Sequence, residues 1–136
     1  MKLSLAVTVC NEYDEIQRLI PFLIENKRKQ DEIVVLFDQK NGDQRVADYL
    51  TTFSKYPNFQ FWRGYFDDNF AEWKNKLTDY CKGDYIFQID ADEIPHKSLL
   101  TKIPYIIESH DENVVYWVPR INTVEGLPDG DIKQWG

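Results

Sequence analysis

The sequence predicts an α/β fold with a mainly parallel central sheet, and two patterns point to it. Short, nearly continuous apolar runs alternate with segments whose apolar residues recur at helical spacing, as expected for strands covered on both faces and joined by crossover helices. Several runs also end on polar residues: Asn11 and Glu12, Asp38, then Asp90 and Asp92. Ligands of parallel sheets bind beyond the carboxyl ends of the strands, so these strand ends share one candidate crevice.

The first strand is Leu3–Val9, a run too short and too early interrupted by Asn11, Glu12 and Asp14 to be a secretory signal. From Tyr13 to Asn26, Ile16, Leu19, Ile20, Leu23 and Ile24 form one apolar face, and Lys27, Arg28 and Lys29 suit a helix C-terminus. Glu32 to Phe37 repeats the buried-strand pattern and closes on Asp38 and a Gln39–Asp43 loop. A helix over 43–54 leads through Pro57 to Phe59-Gln60-Phe61-Trp62, and another over 69–81 ends near Gly83. The strand 85–89 then runs directly into Asp90. A helix over 98–108 and a strand over 114–118 are expected before a polar tail.

Composition narrows the function. The 136 residues are 43% hydrophobic and 15% aromatic, enough to fill the core of one domain. Sixteen Lys and Arg against 23 Asp and Glu give a net charge of −7, which argues against nucleic acid as a partner. Cys10 and Cys81 lack zinc-ligand spacing and are expected to be buried, reduced thiols. No run approaches the ~20 apolar residues of a membrane-spanning helix, so a soluble, cytoplasmic protein is expected.

The segment Asp90-Ala91-Asp92 carries the chemistry. A sugar diphosphate presents clustered negative charge that an acidic protein holds only with a counter-charge, and Mn²⁺ or Mg²⁺ takes carboxylate, phosphate and water oxygens readily. In an extended segment Asp90 and Asp92 point to one side, with small Ala91 leaving room for the nucleotide. The plainer reading is an acidic, solvated turn that caps the following helix. Position after an apolar strand favours the metal site, because clustered carboxylates there repel unless a cation or donors accompany them.

Four segments in order resemble family 2 glycosyltransferases of the GT-A fold: Val7-Thr8-Val9-Cys10-Asn11-Glu12, 31–38 ending in Asp38, Phe70-Ala71-Glu72-Trp73-Lys74-Asn75, and 83–93 with Asp90-Ala91-Asp92-Glu93. The resemblance implies a Rossmann-like three-layer sandwich in which residues 1–136 form one nucleotide-sugar-binding domain. It implies metal-dependent transfer of a sugar from a nucleoside diphosphate donor, UDP in common relatives, to a glycan, lipid or protein acceptor. Carried over, Val9, Cys10, Asn11, Glu12 and Asp38 cradle the base, Asp90 contacts the nucleotide and Asp92 ligates the metal, with Ala91 between them. Lys74 is carried over as a contact to the donor; it stands where relatives often carry arginine, so a bidentate fork becomes a point charge.

Inverting relatives take their catalytic base from an acidic motif downstream. Glu125, Asp129 and Asp131 are the late acids able to fill that role, in a stretch where Gly126, Pro128 and Gly130 favour mobility. Residues 120–136 are therefore expected to begin the acceptor-side region, and the chain is expected to be part of a longer enzyme. The rival reading is a nucleotide-sugar or metal-binding module without turnover.

Other residues have plainer expected roles. Asn11 and Glu12 could equally cap the first helix, and Asp38 could begin a turn. His96 and His110 are not expected to bind metal, and Trp62 and Trp73 are expected in the core. No Gly-x-Gly-x-x-Gly follows the first strand, which argues against a dinucleotide oxidoreductase. No Gly-rich basic loop is there either, against a nucleotidyl transferase, and no acidic pair, against a phosphate-accepting receiver.

Overall fold

The computed structural model describes residues 2–95 together with 100, 102 and 103. Four strands and three helices alternate: β1 (Leu3–Val9), α1 (Tyr13–Asn26), β2 (Glu32–Asp38), α2 (Gln44–Thr51), β3 (Phe59–Gly64), α3 (Phe70–Tyr80) and β4 (Tyr85–Asp90). The strands are parallel and lie in the order β3-β2-β1-β4. Strand order therefore reverses between β1 and β4, and such a switch point opens a crevice at the carboxyl ends of the two strands.

Strand alternation sorts the core into two layers. Leu3, Leu5, Val7 and Val9 of β1 and Ile33, Val35 and Phe37 of β2 pack with Ile16, Leu19, Ile20 and Leu23 of α1 and Val46, Ala47 and Leu50 of α2. Ala6, Val34 and Leu36 face the other way, onto Trp73 and Leu77 of α3. Helices on both faces of the sheet make the expected three-layer sandwich. Each fully buried Leu or Ile contributes about 1.5–3 kcal/mol, so α1 is held chiefly by its four buried side chains rather than by caps.

Helix ends follow local chemistry. Asp43 caps α2 by accepting from the Arg45 N–H at 2.9 Å, and Asn69 caps α3 by accepting from Glu72 N–H at 3.1 Å. The α2 helix stops at Thr51, short of the expected residue 54, and continues as turns. Pro21 lies inside α1 on its exposed side, where the missing N–H faces solvent rather than core.

Two expectations are revised. Trp73 is in the core, 7% exposed, but Trp62 is 40% exposed and stacks on Tyr80 with ring centroids 4.0 Å apart. The reason is topological: among the described residues β3 is an edge strand, and Trp62 meets α3 through Tyr80. Cys10 and Cys81 are free, as expected, but only half-buried. Of the helix expected over 98–108, residues 100, 102 and 103 are described and helical, with Leu100 and Ile103 buried in the α1 and α2 layer. The strand expected over 114–118 lies outside the described residues.

Candidate functional site

Side-chain alternation brings three polar residues to one face at the carboxyl ends of the strands. Thr8 of β1, Asp38 of β2 and Asp90 of β4 have the same parity as Ala6, Val34 and Leu36, so all three lie on the α3 side. Asp38 and Asp90 flank β1 on its two sides, Asp90 level with Thr8 and Asp38 two residues beyond Leu36, the partner of Thr8 on β2.

Asp38 ends β2 with its carboxylate 5% exposed as a residue and fully engaged. It accepts from Lys40 N–H at 3.0 Å, Asn41 Nδ2 at 3.1 Å, Phe66 N–H at 3.3 Å and the Cys10 thiol at 3.7 Å. Burial opposes its charge, but the hydrogen bonds outweigh that opposition and hold it below the usual aspartate range. Turn and strand-end roles thus coincide in one residue. Cys10 responds in the opposite sense: burial, then the Asp38 and Glu12 carboxylates, push its thiol up to about 11, so it stays a neutral donor.

The loop after β1 is shaped from its own polar groups. Glu12 stands at the N-cap position of α1, yet its side chain does not cap the helix; its carboxylate turns back to accept from Cys10 N–H at 3.0 Å. The Asn11 carbonyl accepts from Tyr13 N–H at 3.0 Å, leaving the exposed Asn11 side chain on the crevice rim. The Val9 side chain is buried in the core, so only its backbone lines the loop. Asp43 N–H donates to the Cys10 carbonyl at 3.1 Å and ties the loop after β2 to the end of β1.

At the other side of β1, Lys74 reaches up from α3. Its Nζ lies 2.9 Å from Asp90 Oδ1 and 3.3 Å from Thr8 Oγ1. The chain does not stay extended after Asp90, contrary to expectation. Glu93 N–H donates to the Asp90 carbonyl at 2.9 Å and Glu93 Oε1 accepts from Asp90 N–H at 3.3 Å, which closes a turn. This turn, not strand alternation, gathers one carboxylate oxygen each from Asp90, Asp92 and Glu93 within 4.8 Å of one another. The Ala91 methyl points inward, 2% exposed within the core, so it anchors the turn rather than clearing space above it.

The donor set fits a hard divalent cation, since three carboxylates on one turn supply the oxygens that Mg²⁺ or Mn²⁺ prefers. Two residues of this cluster of contacts were missed from sequence. Glu93 was legible only as the third acid of the run, and Thr8 only through the parity of β1. Glu125, Asp129 and Asp131 lie outside the described residues, as does His96.

The model of Glycosyl transferase family 2 matches residues 4–133. The chain belongs to that family. A search of curated proteins found no significant match. Among solved structures, the family 2 chain is similar to S. aureus TarS 1-349, with a TM-score of 0.70 and 20% identity over 81% of this chain and 33% of that one. The same protein in complex with UDP gives 0.67 and 19%, covering 81% and 33%. Its complex with UDP-GlcNAc gives 0.67 and 19%, covering 81% and 32%. The likeness identifies the fold as GT-A, and the chain spans about a third of the length of the structures it matches. Among the described residues no helix is long and apolar enough to cross a membrane.

Proposed function

We propose that this family 2 chain binds a UDP-sugar at the β1/β4 switch point and serves metal-dependent transfer of the sugar to a glycan, lipid or protein acceptor. The observation that carries this reading is the convergence of Asp90, Asp92 and Glu93 on the turn that ends β4. The TarS structures named as complexes with UDP and UDP-GlcNAc support the choice of nucleotide.

In this reading Asp38, kept an acceptor at neutral pH by its lowered pKa, receives the N–H of the base in exchange for one of its present donors, of which the Cys10 thiol at 3.7 Å is the most distant. Cys10, Asn11 and Glu12 form the loop against which the nucleoside lies, with the Val9 backbone beneath it. Asp92, with Asp90 and Glu93, would hold Mn²⁺ or Mg²⁺, and the bound ion supplies Lewis-acid stabilisation of the leaving diphosphate. The Asp90–Glu93 hydrogen bonds fix the turn before the donor arrives, which lowers the ordering cost of binding. A general base from the acceptor side, with Glu125, Asp129 and Asp131 as candidates, would take the proton of the acceptor hydroxyl. The site of action is the cytoplasm, where nucleotide sugars are supplied.

Calorimetric titration of UDP with Mn²⁺, with EDTA, and into Asp92→Ala tests the donor site. Binding that needs Mn²⁺ and is lost in the variant is expected; binding indifferent to both would sink the proposal. Donor hydrolysis and transfer assays then separate an enzyme from a donor-binding module, the second reading, which binds without turnover.

A further inference from the structure

Lys74 sits where the resemblance expects a contact to the donor, but its ammonium already has two protein partners. Nζ lies 2.9 Å from Asp90 Oδ1 and 3.3 Å from Thr8 Oγ1. Thr8 and Asp90 are register partners on β1 and β4, so the ammonium bridges the two strands where their order reverses. Its place is fixed by the helix: Trp73 and Leu77 of α3 are buried against Ala6, Val34 and Leu36, which locks the rotation of α3 and carries Lys74 to the sheet end.

The surrounding charge gives this bridge a purpose. Three carboxylates whose ligand atoms lie within 4.8 Å repel one another, and the Lys74 ammonium is in direct ion-pair contact with one of them. Lys74 thereby offsets one of the carboxylate charges that a divalent cation would meet. The diphosphate then brings the extra negative charge that makes both the cation and the ammonium necessary. Without the ammonium the acids alone would attract a cation more strongly, and the cation would be held whether or not a donor was present.

We propose that Lys74 is a positioning residue acting through the acid cluster: it holds Asp90 across the switch point and offsets one carboxylate charge, so that the divalent cation binds tightly only together with the nucleotide diphosphate. This role rests on the donor-site reading above. It differs from a direct donor contact in the sign of one effect, because removing the charge strengthens cation binding in the absence of nucleotide.

The test is titration of Mn²⁺ alone into the wild-type chain, Lys74→Met, Lys74→Gln and Lys74→Arg, followed by electron paramagnetic resonance of free Mn²⁺ and repeated with saturating UDP. Lys74→Met and Lys74→Gln are expected to bind Mn²⁺ alone on the order of tenfold more tightly than wild type. Lys74→Arg is expected to stay near wild type, and the tightening of Mn²⁺ by UDP to shrink in the two neutral variants. A variant whose fold is merely loosened moves the other way. Mn²⁺ affinity that is unchanged or weaker in both neutral variants overturns the proposal, whatever happens to UDP. Failure of the donor-site reading is distinct: wild-type protein would then bind UDP without regard to Mn²⁺, while the nucleotide-free comparison still reports on Lys74.

Discussion

The Cys10 thiol donates to the Asp38 carboxylate at 3.7 Å, joining the ends of β1 and β2 at the rim of the crevice. Burial and the neighbouring Asp38 and Glu12 carboxylates push Cys10 up to about 11, so the unreactive thiol form dominates at neutral pH. Cys81, raised to about 11 by burial and by Glu32, sits at the end of α3, away from the proposed site. Alkylation by iodoacetamide is therefore expected to be slow for both at pH 7 and to accelerate as pH rises toward 11. UDP with Mn²⁺ should protect Cys10 and leave Cys81 unchanged, as read by peptide mass spectrometry; equal protection of both would contradict the placement of the nucleotide.

Glu32 is a heavily bonded acid at the opposite end of the sheet. It is 2% exposed and accepts from Ser4 Oγ at 2.5 Å, Lys82 N–H at 2.6 Å and Gln60 Nε2 at 2.9 Å. Burial disfavours its charge, but these donors and Lys2 prevail and lower its pKa. Glu32→Ala would strand several buried donors and is expected to cost about 2–4 kcal/mol. The sign for pH follows from the lowered values of Glu32 and Asp38: their stabilisation is complete above the unfolded carboxylate pKa of about 4 and is lost as pH falls through the folded values. Tm should fall on acidification below about pH 4, and Glu32→Gln should flatten that slope; an unchanged slope would show that Glu32 does not carry it.

Gly42 sits in the loop between β2 and α2, where a Cβ would lie 2.2 Å from the Asp38 carbonyl oxygen and 2.4 Å from the Phe37 ring. One of these neighbours is backbone and cannot move aside cheaply, so Gly42→Ala is expected to destabilise by about 1–3 kcal/mol. The same shift would disturb the donors from Lys40 and Asn41 to Asp38. Chemical denaturation and UDP titration should therefore report linked losses, whereas a variant of wild-type stability would show that the loop yields easily.

The parallel sheet was legible because β1 and β2 are apolar on both faces, a pattern that little else produces. Strand order was not: nothing in the run 85–89 says that it pairs with β1 rather than with β3, and that pairing creates the crevice. The acid pair was visible as residues but not as geometry, since the turn depends on hydrogen bonds between Glu93 and the Asp90 backbone that spacing does not reveal. Trp62 was misplaced for a related reason. Hydrophobicity favours burial, but β3 is at the edge of the sheet among the described residues, which offers too little neighbouring surface to complete it. Lys74 looked like a donor contact in sequence, and only the register of Thr8 with Asp90 shows what lies within its reach.

The central claim is the location of the donor site, and amide NMR of the ¹⁵N-labelled chain with UDP and substoichiometric Mn²⁺ tests it most directly. Paramagnetic broadening is expected to centre on Asp90, Ala91, Asp92 and Glu93, with UDP-induced shifts at Cys10, Asn11, Glu12, Asp38 and Phe66 across the end of β1. Broadening centred elsewhere, or UDP shifts that avoid the ends of β1 and β2, would contradict it.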